Sequence, residues 1–102
     1  MGLGSDFYGM LGIAVKARAC FFGFEALLKG IRSGKVFLAL VDEGASFRSK
    51  KTISDKCRYY NVPYIEASPP GELGKRCGRA DNRLVGVTKD GFAQKLLEIS
   101  EV

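Results

Sequence analysis

Apolar residues recur every three or four positions in four segments of the chain, a spacing typical of helices with one buried face. The predicted helices are DFYGMLGIAVKARA (6–19), FEALLKGIRS (24–33), ASFRSKKTISDKCRYYN (45–61) and a last helix that contains Phe92, Leu96 and Ile99. Side-chain oxygens are expected to cap three of these helices, at Ser5 or Asp6, at Ser46 and at Asp90. The second helix is expected to end at Gly34 in a left-handed conformation.

Short apolar runs between the helices predict four strands. They are CFF (20–22), VFLALV (36–41), YI (64–65) and RLVGVT (83–88). Pro69 and Pro70 favour the start of a brief fifth helix, which Gly78 is expected to end. Strands and helices therefore alternate from Val36 onward, which predicts crossover connections with helices on both faces of a sheet. We expect one domain, residues 1–102, with an α/β fold: a three-layer α/β/α sandwich around a small mixed, mostly parallel four-stranded sheet.

The cysteines and the absence of histidine exclude several kinds of site. The chain has three cysteines, Cys20, Cys57 and Cys77, at wide spacing, and no histidine. This pattern favours reduced thiols over disulfides and leaves no Cys/His zinc set. It also removes the commonest general base and the paired Cys-His nucleophile. We therefore expect no metal, no cofactor and no hydrolase chemistry of that type.

No segment of the sequence predicts a membrane span or a secretory signal. The longest apolar stretch, Val36 to Val41, is far too short to cross a bilayer. The N-terminal MGLGSDFYGM lacks both a basic start and a continuous apolar run. A cytoplasmic protein without membrane contact is the expectation.

The charge balance leaves two interpretations open. The chain carries a net charge of +5 at pH 7 and has a pI near 9.3. A small basic domain has an electrostatic reason to bind polyanions, because each phosphate that it neutralises releases counterions. The same charge also serves solubility.

The segment SPPGELGKRCGR (68–79) combines glycines with basic residues and must be tested against known phosphate-binding loops. A P-loop requires a glycine five positions before its GK pair and a Ser or Thr after the lysine, whereas Gly74-Lys75 has Pro69 and Arg76 there. The glycine spacing does not match a dinucleotide fingerprint either. GELG does satisfy the GxxG pattern of KH domains, but the two prolines and the strand before it do not fit that domain.

Six segments in order resemble the kink-turn-binding ribosomal protein superfamily, the L7Ae and L30e type, and most of all its small bacterial YlxQ-like members. They extend through nearly the whole chain: MLGIAVKARA, GFEALLK, LALVDEGAS, DKCRYYNVPYI, ELGKRCG and RLVGVTKDGFAQKLL. The resemblance implies that loops at one edge of the sheet hold a sharply bent RNA.

The resemblance also implies which residues contact RNA. They are the start of the second helix, the loop after the buried strand and the ELG loop: Gly23, Phe24, Glu25, Ala26, Lys29, Glu43, Glu72, Leu73 and Gly74. Leu73 is expected to meet a flipped-out base, and Gly74 to allow close approach of the RNA backbone. Lys75, Arg76 and Arg79 are either the rim of this site or ordinary surface residues.

One departure from the family pattern concerns base recognition. The two polar positions that read the sheared G·A pairs of a kink-turn, usually Asn and Glu in the archaeal proteins, are Glu25 and Ala26 here. Glu25 can accept a hydrogen bond from a guanine, but the side chain of Ala26 cannot form one. Because a good base contact contributes about 1–3 kcal/mol of discrimination, we expect weaker or altered base recognition.

The sequence therefore predicts a non-catalytic protein that binds structured RNA, with a kink-turn or a similar element of ribosomal or regulatory RNA as its target. The expected partners are RNA and the ribosome, and the expected state is a monomer. A first alternative is a ribosome-associated protein-interaction module with reduced RNA contacts, for which Ala26 is the motivating residue. A second is an enzyme that uses Asp42, Glu43 and Glu72, although no nucleophile or histidine accompanies these carboxylates.

Overall fold

The computed structural model describes residues 4–100, which form five helices and four strands in the order that the sequence predicts. The helices are α1 (Ser5–Lys16), α2 (Phe24–Arg32), α3 (Phe47–Tyr60), α4 (Glu72–Arg76) and α5 (Asp90–Ser100). The strands are β1 (Cys20–Phe22), β2 (Leu38–Asp42), β3 (Tyr64–Ser68) and β4 (Leu84–Val87). Within these residues no helix is long and apolar enough to cross a membrane.

Helix α1 ends at Lys16, three residues earlier than predicted. Arg18 adopts a left-handed conformation with a φ of 57°, and the N–H of Ala19 donates to the carbonyl of Ala14 at 2.9 Å. This turn closes the helix and buries Ala19, so that the chain enters β1 one residue later. The apolar spacing continues past the turn, which is why the sequence predicted a longer helix.

The predicted helix caps are confirmed in part. The cap of α3 is confirmed, because the N–H of Ser49 donates to the Ser46 hydroxyl at 3.1 Å. The caps predicted at Ser5 or Asp6 and at Asp90 are wrong, since these residues already lie inside the first turns of α1 and α5.

The sheet is mixed, with strand order β1-β4-β2-β3. Only the β2–β3 pairing is parallel, while β4 runs antiparallel to both β1 and β2. The prediction of a mixed sheet is confirmed, but the sheet is not mostly parallel as the sequence predicted. The reason is the length of α4, which has five residues and spans about 7 Å at 1.5 Å per residue. So short a helix does not carry the chain back along the sheet, and β4 therefore starts beside the end at which β3 stops.

Helices cover both faces of the sheet and form the three predicted layers. The alternation of side chains along β2 divides the core in two, with Leu38 and Leu40 on one face and Ala39 and Val41 on the other. The first face packs against α1, α4 and α5, and the second packs against α2 and α3. Burial of these two faces fixes the ends of the strands relative to each other.

Four connections meet at one end of the sheet. Strand pairing aligns Phe22 with Val85, Val41 with Leu84 and Asp42 with Ser68. The carboxyl ends of β1, β2 and β3 therefore lie beside the amino end of β4. We call this end the loop edge; it comprises residues 22–24, 42–47, 68–73 and 79–84.

Candidate nucleic-acid interface

Helices α2, α3 and α4 all begin at the loop edge, each directly after the strand or loop that ends there. The first N–H groups of a helix have no acceptor inside the helix and carry the positive end of its dipole. For α2, the N–H groups of Phe24, Glu25 and Ala26 have no protein acceptor among the described residues, and the first helical bond runs from the Leu27 N–H to the Gly23 carbonyl at 3.0 Å. The edge therefore presents unused donors, an arrangement that suits anionic oxygens.

Gly23 sets the direction in which α2 starts. Its φ is 94°, a conformation that side chains disfavour, and its N–H donates to the Leu84 carbonyl at 3.0 Å. The glycine thus both turns the chain and joins the start of α2 to the start of β4. This conformational role of Gly23 is compatible with the RNA contact that the family resemblance implies.

The side chain of Asp42 joins three parts of the loop edge. It is fully buried at the end of β2, and its two oxygens accept backbone N–H groups from Gly44 at 2.7 Å, Gly71 at 3.0 Å and Leu73 at 3.2 Å. Arg83 Nη1 lies 3.4 Å from Asp42 Oδ1. A buried carboxylate with several donors is stable, and it fixes the positions of the groups that donate to it.

This role of Asp42 was not predicted, since the sequence presented it only as a carboxylate for the enzyme alternative. Its oxygens are occupied by donors and sealed from solvent, so they do not serve as an acid or base toward an external substrate. The available signal was its place as the last residue of a buried apolar run, followed at once by a glycine-containing loop.

Gly44 fits the close packing around Asp42. A Cβ atom at this position would collide with the Arg83 guanidinium and would lie 3.0 Å from both Asp42 Oδ1 and Pro70 Cβ. The loop after β2 therefore packs directly against the loop after β3 and against the residue that precedes β4. The three loops form one packed unit.

The structure contradicts the role predicted for the Leu73 side chain. Leu73 is fully buried in the core, in the same cluster as Phe7 and Tyr8 of α1, and is therefore not available to a flipped-out base. Helix α4 is amphipathic, and its orientation against α1 turns Leu73 inward. Only the backbone of Leu73 takes part in the loop edge, through its bond to Asp42.

Gly74 also has a different role from the one predicted. It is buried, and a Cβ atom there would collide with the backbone carbonyl oxygens of Arg79 and Asn82. The N–H of Arg79 donates to the Gly74 carbonyl at 2.8 Å. The glycine therefore allows the 79–82 segment to fold over α4, rather than allowing RNA to approach.

The other residues predicted to bind RNA differ in their exposure to solvent. Phe24 and Ala26 are half-buried, whereas Glu25, Lys29 and Glu43 are exposed. Glu43 reaches the edge through its backbone, since its N–H donates to the Ser68 carbonyl at 2.8 Å. Lys29 takes part in none of the ion pairs found within residues 4–100, so its ammonium group is free for an external anion.

The predicted rim residues contact the protein in two ways. Arg76 forms an ion pair with Glu72 and lies over the Tyr8 ring at 4.8 Å. Arg79 lies over the ring of Phe22 at 4.2 Å, directly before the start of α2. Cation–π contacts hold the guanidinium groups in place while leaving their edges open to solvent. Lys75 is exposed.

Sequence reasoning missed one more basic residue. Arg83 is 46% exposed, contacts Asp42 and lines a pocket of about 220 Å³ at the loop edge. The pocket lies between the starts of α2 and α3 and is lined by Gly23, Phe24, Ala45, Ser46, Ser49, Asp81, Asn82, Arg83 and Leu84. The signal in the sequence was a basic residue directly before an apolar strand.

The cysteines do not provide nucleophiles. Burial raises the pKa of the Cys57 and Cys77 thiols to about 11 and that of Cys20 to about 12. A thiol with such a pKa is protonated near neutral pH, and the thiolate is the reactive form. Within residues 4–100 no three His, Cys, Asp or Glu side chains form a group that could hold a metal ion.

Comparison with known proteins identifies relatives over almost the whole chain. Residues 5–97 match the model of the Ribosomal protein L7Ae/L30e/S12e/Gadd45 family. The chain is 36% identical over 96 residues to the RNA-binding protein YlxQ of Bacillus subtilis (strain 168), covering 94% of this chain and 96% of that protein. It is 32% identical over 92 residues to the RNA-binding protein YlxQ of Enterococcus faecium, covering 90% of this chain and 88% of that protein.

Two solved structures share the fold. A protein of unknown function from Bacillus halodurans superposes with a TM-score of 0.92 at 28% identity, covering 97% of this chain and all of that one (100%). The Giardia lamblia 15.5kD RNA binding protein superposes with a TM-score of 0.81, covering 98% of this chain and 89% of that one. At 18% identity, the second likeness is one of fold.

Proposed function

Because the chain belongs to the Ribosomal protein L7Ae/L30e/S12e/Gadd45 family, we propose that it binds structured RNA, without catalysis, through the loop edge. The names of the two YlxQ relatives support RNA as the ligand. The observation that carries the proposal is the start of α2. Three of its N–H groups lack a protein acceptor among the described residues, and they lie beside a loop edge that Asp42 holds together.

The charges around this start fit a phosphate backbone. Lys29 lies in the last turn of α2, about 7 Å along the helix from Phe24. Arg79 lies over the ring of Phe22, two residues before α2, and Arg83 lies beside Asp42. The interface therefore combines fixed backbone donors with basic side chains, which is the usual composition of phosphate contacts in protein–RNA complexes.

A kink-turn or a similar element is the specific RNA that we propose. Glu25 is exposed in the first turn of α2, where its carboxylate can accept a hydrogen bond from a guanine amino group. Ala26 is half-buried and contributes only its backbone N–H. The proposed recognition thus depends on one carboxylate and on the shape of the bent RNA.

A titration of the protein with two RNAs tests this function. One RNA contains a kink-turn, and the other is the same RNA without its G·A pairs; both are measured at about 50 and 200 mM salt, because phosphate contacts weaken steeply over that range. We expect the kink-turn RNA to bind more tightly at both salt concentrations. Equal affinities would remove the kink-turn from the proposal and leave general binding of structured RNA.

Replacing Lys29 by alanine is expected to weaken the binding of both RNAs and to lower the slope of log affinity against log salt by about one. The reason is the loss of one phosphate contact by an ammonium group that has no ion-pair partner among the described residues. Fluorescence anisotropy at several salt concentrations measures both quantities.

Lys89→Ala is the matched control for Lys29→Ala. Lys89 follows β4 at the end of the sheet opposite to the loop edge, and it is also exposed. The substitution removes the same charge from the protein, so we expect little change in affinity and slope. Equal effects of the two substitutions would indicate that net charge alone, and not the loop edge, drives binding.

The ribosome, a monomeric state and the cytoplasm complete the proposal. The name of the matched family supports RNA of the ribosome as the ligand. A ribosome-associated module that binds protein instead is the second candidate, favoured by the alanine at position 26. Absence of measurable RNA affinity even at low salt would support that second candidate.

A further inference from the structure

A groove runs between α1 and α5, the two long helices on the first face of the sheet. Met10, Ile13 and Ala17 line it along one side of α1, and Phe92 lines it on α5. Met10 and Phe92 are half-buried, whereas Ile13 is 54% exposed. The groove has a volume of about 560 Å³, more than twice that of the pocket at the loop edge, and lies within the range of about 300–1,000 Å³ that binding pockets have. Its floor is apolar.

This groove lies at the end of the sheet opposite to the loop edge, where β1 begins and β4 ends. Ala17 caps the end of α1, and Lys89 directly precedes α5. The N–H of Thr88 donates to the Ala19 carbonyl at 2.8 Å and so joins the end of α1 to the start of α5. The groove is therefore a fixed part of the fold, and a molecule bound in it leaves the loop edge accessible.

Basic side chains surround the apolar floor. Lys89 and Lys95 line the groove, and Lys16 and Arg18 are exposed on either side of Ala17. None of the four cations takes part in the ion pairs found within residues 4–100. Their charges are therefore available to an external anion.

The acidic residues of the two helices do not line the groove. Asp6 lies in the first turn of α1, seven residues and about 10 Å before Ile13. Asp90 lines a different pocket on the other side of α5, where its carboxylate accepts a hydrogen bond from Gln94 at 3.1 Å. Glu98 follows Lys95 toward the end of α5 and forms no ion pair with it among the described residues. The groove thus presents one sign of charge around an apolar surface.

We infer that this groove binds an acidic amphipathic helix of another protein. A helix that docks in a groove places apolar side chains at helical spacing on the floor, and here they pack on Met10, Ile13 and Phe92. Glutamate or aspartate residues beside them pair with Lys89 and Lys95, since complementary charges at the rim set the choice of partner.

The same charges disfavour a second copy of this chain as the occupant. In a symmetric dimer the same patch of both copies would meet, which brings the lysines of one copy close to those of the other. The inference does not rest on the proposed RNA binding. If both sites are occupied, the protein links an RNA at one end of the sheet to a protein at the other.

Titration with a synthetic peptide tests the inference. The probe has blocked ends and about 18 residues, enough to form a helix, with leucines at helical spacing on one face and glutamates on both sides of them. One control peptide has the same composition in scrambled order, and another has lysine in place of glutamate. The titration is followed by NMR of the isotope-labelled full chain. We expect the amide signals of Ile13, Phe92 and Lys95 to shift and those of the loop edge to stay unchanged.

Two neutral substitutions separate the apolar and the electrostatic contributions. Ile13→Gln is expected to lower the affinity for the acidic peptide about 5-fold or more, the effect of truncating an anchoring residue of an interface. Lys95→Gln is expected to lower it about 2- to 5-fold and to weaken its dependence on salt, as for a charge at the rim.

Tyr59→Gln and Lys35→Gln are the matched controls for these substitutions. Both residues are exposed, Tyr59 on α3 and Lys35 directly after α2, in the layer on the other face of the sheet. These variants should bind the peptide as the wild type does. Circular dichroism checks that all four variants are folded, which is expected for exposed positions.

Several results would overturn the inference. They are groove signals that do not shift at millimolar peptide, and equal binding of the scrambled peptide or of the lysine peptide. A dimer in sedimentation that Ile13→Gln dissociates would assign the groove to a second copy, and binding to vesicles of anionic lipid without peptide binding would assign it to a membrane surface. The RNA titrations contain no peptide, so Lys89→Ala remains a control there, and their failure would leave this inference standing.

Discussion

Replacing Asp42 by alanine is expected to lower the free energy of unfolding by about 3 kcal/mol or more, because each of the three backbone donors left without this acceptor costs about 1–3 kcal/mol. The substitution leaves the N–H groups of Gly44, Gly71 and Leu73 without their acceptor. The carboxylate is fully buried, so water does not replace it without opening the loop edge. Urea denaturation followed by circular dichroism measures the change.

Asp55→Ala is the control for this experiment. Asp55 is an exposed aspartate on α3 whose ion pairs with Lys51 and Arg58 lie on the surface. Exposed pairs of this kind contribute about 0.3–0.5 kcal/mol each. A loss for Asp42→Ala as small as that for Asp55→Ala would refute the organising role of Asp42. If the alanine variant does not fold, Asp42→Asn, which keeps the size and one acceptor oxygen, should show a smaller but measurable loss.

Replacing Gly74 by alanine is expected to destabilise the protein by about 2–3 kcal/mol, a typical effect of adding a group to a tightly packed site. The new methyl group would collide with the backbone carbonyl oxygens of Arg79 and Asn82, and backbone atoms move less readily than the ends of side chains. The expected readout is a lower melting temperature with the helical circular dichroism signal retained at low temperature.

Gly9→Ala is also a glycine-to-alanine substitution, but we expect it to raise the stability of the protein. Gly9 lies in α1 and is exposed, and a methyl group added there would have no neighbouring atom within 4 Å. Alanine is favoured over glycine inside a helix by about 0.5–1 kcal/mol, so this variant should be more stable than the wild type. A Gly74→Ala variant that is stabilised as Gly9→Ala is would refute the collision at Gly74.

These two results would also define what the ELG segment does. Leu73 packs in the core and Gly74 lies under the 79–82 segment. The ELG segment therefore supports the loop edge from the side of the core. The groups left for the proposed RNA contacts are then helix N–H groups and exposed side chains. A rigid, preorganised edge of this kind reduces the entropic cost of binding.

The order and type of the elements were predictable because they depend on local spacing. The apolar positions of α2 and α3, the buried run of β2 and the caps at Ser46 and Gly23 are each determined by residues a few positions apart. The family resemblance extended this to the fold and to the RNA-binding family, because six such segments occur in a fixed order. The helix starts at the loop edge were predictable for the same reason.

The contacts of the site were less predictable, since they join distant residues. Asp42 is bonded to residues that lie between two and 41 positions away, so its place at the end of a buried apolar run does not reveal its partners. The family resemblance assigned the Leu73 side chain to a flipped-out base. Its burial depends on how α4 packs against α1, more than sixty residues earlier in the chain.

The sequence by itself determined the order of the helices, most of the strand positions, the family and the place of α2 directly after β1, because spacing and motif order are local properties. Tertiary structure alone decided the antiparallel course of β4, which follows from a helix too short to span the sheet. It also decided that Leu73 and Gly74 are buried, that Asp42 organises the edge and that a groove runs between α1 and α5. These properties depend on which surfaces remain uncovered after the helices have packed on the sheet, and that outcome is a sum of long-range contacts.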